Sequence, residues 1–82
     1  MTTTKEENTM TTTPTITVHA DGHDLQTAAT TQLLDRSGID YYLIADEALS
    51  VVHVDTEGIT HQWSGFRPDR LADAVADLKA AA

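Results

Sequence analysis

Apolar and polar residues alternate along TITVHA, residues 15–20: Ile16 and Val18 point one way, Thr17 and His19 the other. A period of two predicts a strand with one apolar face. The polar break DGHD follows and ends on Asp24. Its carboxylate can accept a bond from a free amide two or three residues on, which marks a helix start. Residues 25–37, LQTAATTQLLDRS, then place Leu25, Ala28, Ala29, Gln32 and Leu33 at helical spacing. Three threonines lower the helix propensity of this segment, so tertiary packing must support it. Gly38 is a natural stop, because glycine accepts the left-handed backbone that ends a helix.

Three further strands follow. DYYLI (40–44) is separated by ADEA from LSVVHV (49–54), which is rich in β-branched residues. DTEG, ending on Gly58, makes a hairpin turn into ITHQW (59–63). After the corner SGFR, Pro68 suits the first turn of a helix, where its missing N–H costs nothing. Asp69 and Lys79 complement the two ends of the helix dipole. Leu71, Ala74, Val75 and Leu78 form the apolar stripe of 69–80. The expected fold is α/β (α+β), a β-α-β-β-β-α chain with a four-stranded mixed sheet and both helices on one face. The first β-α-β unit should be a parallel crossover and the last two strands an antiparallel hairpin.

Composition narrows the function. The chain has 82 residues, enough for one domain. Residues 1–14, MTTTKEENTMTTTP, contain no Leu, Ile, Val or aromatic residue and read as a flexible tail, leaving 15–82 to fold. MTTT occurs at Met1 and again at Met10, an alternative start. Thirteen acids against five bases give a net charge of −8, which repels phosphate backbones and argues against nucleic acid. No apolar run reaches the ~20 residues of a membrane span, and the polar N-terminus has no secretory h-region. A cytoplasmic protein is expected. With no cysteine there is no disulfide, thiolate metal site or thiol chemistry.

Three stretches carry a resemblance. ITV in the first strand, LLDRSGIDY across the end of the first helix, and above all WSGFRPDRL (63–71) are similar to the NrdH-type redoxins, glutaredoxin-like members of the thioredoxin fold. The similarity runs through 16–42 and resumes over about 50–78. It implies a truncated thioredoxin-like fold in which the first strand lies between the second and third and the fourth follows the third; the alternative is a direct hairpin between the second and third strands through ADEA. The family's Cys-x-x-Cys motif falls on Asp24 and Thr27, its helix after the second strand is reduced to Ala45–Ala48, and Ser50 stands near its cis-proline. Dithiol exchange needs an attacking thiolate and a resolving thiol. A carboxylate and a hydroxyl supply neither, so the family's oxidoreductase chemistry is excluded and no cofactor is implied.

The resemblance therefore implies a redox-inactive protein-binding or regulatory module, with a ribonucleotide reductase or a thioredoxin reductase as partner. Its binding residues would be Trp63, Ser64, Gly65, Phe66 and Arg67, although the same residues also serve as a packing corner. Arg67 is expected to pair with a carboxylate or carbonyl. An alternative is a small structural or self-assembling domain, a homodimer for example, that uses the sheet face left bare by the missing helix. A third reading is a histidine-based metal site. His19 and His53 are expected to share a sheet face near Thr17 and Asp55, while His19, Asp21, His23 and Asp24 cluster after the first strand. No ligand spacing here matches a known pattern. Ser37, Ser50 and Ser64 lack a nucleophile elbow or oxyanion motif. Asp35–Arg36 and Asp69–Arg70 read as exposed helix charges, and Asp46, Glu47, Asp55 and Glu57 as solubilising turn residues.

Overall fold

In a computed structural model, residues 13–81 are described. The elements run β1 (Thr15–Ala20), α1 (Leu25–Ser37), β2 (Tyr42–Ala45), β3 (Ser50–Val54), β4 (Thr60–Ser64) and α2 (Pro68–Ala81). Each expected element forms, with β2, β3 and β4 beginning one or two residues later than the apolar pattern places them. Residues 1–12 of the expected tail lie outside the described residues. Pro14 is buried, so packing begins one residue before β1.

The sheet order is β2-β1-β3-β4, with β1 parallel to β2 and antiparallel to β3, and β3 antiparallel to β4. Strands β2 and β3 are therefore separated by β1, and Asp46–Leu49 must cross its end. Four extended residues reach roughly 13 Å, more than the ~10 Å of two strand spacings. The crossing is anchored where the Asp46 amide donates to the Ala20 carbonyl at 3.0 Å. No helix among the described residues is long and apolar enough to cross a membrane.

One sheet face is covered by both helices. Ile16, Val18, Ala20, Val51 and Trp63 from that face share a single core with Leu34 of α1 and with Leu71, Ala74 and Val75 of α2. The α2 stripe follows the sequence pattern, with Leu78 packed at its margin. The α1 stripe does not. Leu25, expected to be inside, is 85% exposed, and the buried side chains are Thr27, Thr30 and Leu34. A threonine can be buried here because its hydroxyl bonds back into the helix: Thr30 Oγ1 donates to the Gln26 carbonyl at 2.9 Å, leaving its methyl to pack. Thr27 lacks that escape. Four residues back lies His23, ahead of the helix, and Thr27 Oγ1 is buried without a partner.

The other face carries Thr15, Thr17 and His19 on β1, Ser50, Val52 and Val54 on β3, and Thr60, Gln62 and Ser64 on β4. The register corrects one expectation. His53 stands opposite Ile16 and is buried on the helix-covered face, whereas His19 stands opposite Ser50 on the open face. A strand alternates faces with period two, so residues on different strands share a face only if the register agrees, and with Val51, Val52 and Val54 apolar on both faces of β3 its own pattern leaves that register open.

Candidate functional site

The start of α1, the start of β3 and the end of β4 meet at one end of the molecule. The Asp21–Asp24 turn is tied down first: the His23 amide donates to Asp21 Oδ1 at 3.0 Å and the Asp24 amide to the Asp21 carbonyl at 3.2 Å. Asp24 then caps α1 as its position predicts. Its backbone is extended (φ −82°, ψ 136°), and its Oδ1 accepts from the Gln26 amide at 3.1 Å. A carboxylate held at a helix N-terminus is favoured by the dipole, so Asp24 is a structural cap with its side chain exposed.

Gln26 makes the connection between motifs. Its Oε1 accepts from the Phe66 amide at 3.2 Å, joining the α1 start to the corner after β4 across forty residues of chain. Gly65 shapes that corner. Its φ is +78°, a left-handed conformation that costs other residues strain, and a Cβ there would sit 3.2 Å from Gln26 Oε1. The Gly65 amide donates to the Leu49 carbonyl at 3.1 Å, which ties the corner to β3. Trp63 is buried in the core with its Nε1 unpartnered, and Phe66 is half-buried beside it. Arg67 pairs with Asp69, as the sequence expects of it, through Nε at 3.3 Å and Nη2 at 3.2 Å. The Arg67 hydrogen bond is the main reason the Asp69 carboxyl is held below its ordinary value. Of the candidate residues, Asp24, Thr27, Gly65 and Phe66 are thus brought together around Gln26, with Leu25 projecting into solvent beside them.

The histidines are dispersed. His23 lies in the exposed turn, His19 on the open face and His53 on the covered face. Among the described residues no group of three or more histidine, cysteine, aspartate or glutamate side chains is placed to hold a metal ion. His61 belongs to no motif in the sequence, yet it stands opposite His53 and stacks on it. The hairpin supplied the signal, since pairing 54 with 60 around DTEG sets 53 against 61. His53 Nε2 meets Asp77 Oδ2 at 3.0 Å, and His61 Nε2 meets Asp55 Oδ2 at 2.8 Å.

Asp55 is more than a solubilising turn residue. Its Oδ1 also accepts the Glu57 and Ile59 amides, each at 2.9 Å. These bonds, that of His61 first and that of Ile59 next, hold its carboxyl below the usual range. Asp35, read as part of an exposed charge pair, accepts from the Tyr41 hydroxyl at 3.0 Å. Partial burial and then that carboxylate raise the Tyr41 phenol. On the open face, His19 is in register with Ser50 and, through it, with Ser64, and its Nδ1 lies 4.0 Å from Asp46 Oδ2. Proton transfer in a nucleophilic site needs the base in hydrogen-bond reach of the hydroxyl. Such contact between His19 and either serine is not among the hydrogen bonds of the described residues. No protein-family model, curated protein or solved structure matches this chain, so geometry and residue chemistry carry its functional reading.

Proposed function

We propose that this chain is a redox-inactive, NrdH-redoxin-like protein-binding module that docks through the end of the molecule formed by Asp24–Thr27 and Ser64–Arg67. One observation carries the reading: Gln26 Oε1 holds the Phe66 amide, so the segment standing at the family's Cys-x-x-Cys position lies beside the WSGFRPDRL corner that resembles the redoxins. In those redoxins the first segment carries the reactive thiols and the second borders them. Here Asp24 is a cap and Thr27 a buried hydroxyl, and the chain has no cysteine to move electrons. What remains is a shaped surface with a large exposed apolar side chain, Leu25, on its Asp24–Thr27 side. An exposed aliphatic side chain can seat in a pocket of a partner, although a single exposed leucine is common on protein surfaces.

The test is competition. A redoxin, its thioredoxin reductase and its ribonucleotide reductase are assayed with this chain at roughly hundredfold excess over the redoxin. Slowed redoxin turnover is expected, with full turnover restored when the competitor is Leu25→Asp. Unchanged turnover overturns the docking role. A companion variant, Asp24→Cys with Thr27→Cys, places two thiols three residues apart at a helix start, within disulfide reach. Thioredoxin reductase should reduce that disulfide; if it ignores a correctly folded, oxidised variant, the likeness to redoxins does not extend to docking.

A further inference from the structure

The free edge of β2 is a different surface. Among the described residues β2 pairs only with β1, and its other side meets no strand. All four of its residues are exposed, with Tyr42 at 64%, Leu43 at 58% and Ile44 at 47%. Natural edge strands are guarded against pairing by being very short, or by lysine, proline, a bulge or an inward charge. Tyr-Leu-Ile-Ala is short, at four residues, but carries none of the guarding side chains.

Charge points to what would pair there. No lysine or arginine occurs between Pro14 and Asp35 or between Ser37 and Phe66, so the entire sheet is without one. The acids Asp40, Asp46 and Glu47 are exposed at the two ends of β2. A second copy paired antiparallel about the middle of β2 would set Asp40 against Glu47, a repulsive contact at both ends. At the Tyr42 end of β2 lies a cavity of about 440 Å3, bordered by residues 13–16 at the start of β1 and by Ile39, Asp40, Tyr41, Tyr42 and Leu78. Gly38 and Ala81, at the C-terminal ends of the two helices, also border it, so helix dipoles add negative potential. Arg36 and Lys79 lie in the last turns of those helices, but neither borders the cavity. An apolar wall with a negative rim suits the stem and head of a lysine or arginine.

We propose that the edge of β2 accepts an extended strand from another protein. Apolar residues alternate along that strand, and a lysine or arginine at one end enters the cavity beside Asp40. Backbone bonds of the added strand give affinity, and the cavity gives specificity. This surface is separate from the Gln26–Phe66 corner and does not depend on the redoxin-like reading.

The full chain is used to select binders from displayed random peptides of about twelve residues, the length of an added strand with flanks. Enriched peptides should alternate apolar and polar residues and carry Lys or Arg at one end. The best of them, made synthetically, should shift and protect the amides of Tyr42–Ala45. Asp40→Lys should weaken it about tenfold, one charge contact of roughly 1.4 kcal/mol, and Asp40→Asn by less. Failure to enrich any such peptide overturns the proposal. So do binders without basic residues, shifts confined to Leu25 and Gly65, self-association through β2, or contacts of residues 1–12 to β2 in the free protein. Binders at the Leu25 corner would sink this proposal while favouring the docking one.

Discussion

His53 and His61 stack across the β3–β4 pair with ring centroids 5.3 Å apart and planes 22° from parallel, and each ring meets a different carboxylate. An ionised carboxylate only accepts, so each Nε2 carries a proton, for Asp77 in one case and Asp55 in the other. The two contacts differ in what they join. His61–Asp55 closes its own hairpin, whereas His53–Asp77 ties the sheet to the second turn from the end of α2.

His53 is only 7% exposed, so losing its partner strands a buried donor. Asp77→Ala should cost about 1–3 kcal/mol of stability, read from the urea midpoint. The double variant Asp77→Ala with His53→Leu removes both polar partners and should recover a good part of that loss. A double variant no better than Asp77→Ala alone would show that the bond is not what His53 contributes.

Asp55 makes stability depend on pH in the acid range. Its folded carboxyl lies below the ordinary value, so the stabilisation is fully present above about pH 3.9 and is lost as pH falls through the lower folded value. Asp55→Asn should be less stable than the parent at neutral pH and should lose less stability on acidification. Parallel stability curves for the two proteins from pH 6 to pH 2, a span of roughly four units around that value, would contradict this.

Gly65 combines a left-handed backbone with a close neighbour, since an added Cβ would lie 3.2 Å from the Gln26 oxygen that holds the Phe66 amide. Gly65→Ala should destabilise by about 1–2 kcal/mol, the strain of that backbone for an L-residue. Amide exchange at Phe66 should quicken as the Gln26 bond loosens. An unaltered melting curve would mean that the corner can relax.

Thr27 offers the opposite sign. Its hydroxyl is buried and unpartnered, because the carbonyl four residues back precedes the helix. Thr27→Val keeps the branched shape and removes the orphan, so it should raise stability by about 1 kcal/mol. A loss instead would indicate that the hydroxyl has a partner in solution.

Much of the fold is legible residue by residue. The alternation of Ile16, Val18 and Ala20, the Asp24 cap, the left-handed Gly38 and Gly65, and Pro68 at the first turn of α2 each act through neighbours within a few positions. Such signals are written locally, so the order of elements follows from them. The length of Asp46–Leu49 was also enough to allow β2 and β3 to flank β1. The Asp24–Thr27 and WSGF segments could be singled out by residue type, but their contact through Gln26 could not, because it spans forty positions.

What local patterns could not supply was the inward side of each element. On α1, threonine counts as polar by composition, yet back-bonding let Thr30 turn inward with Leu34 while Leu25 turned out. The face of His53 depended on register against Ile16, and its partner Asp77 depended on how α2 lies over the sheet. The bare edge of β2 likewise arises because the chain crosses β1 instead of folding straight back onto β2. Short-range propensity sets which elements form, but burial and pairing are properties of the packed whole, and in this chain they place both the corner around Gln26 and the open strand.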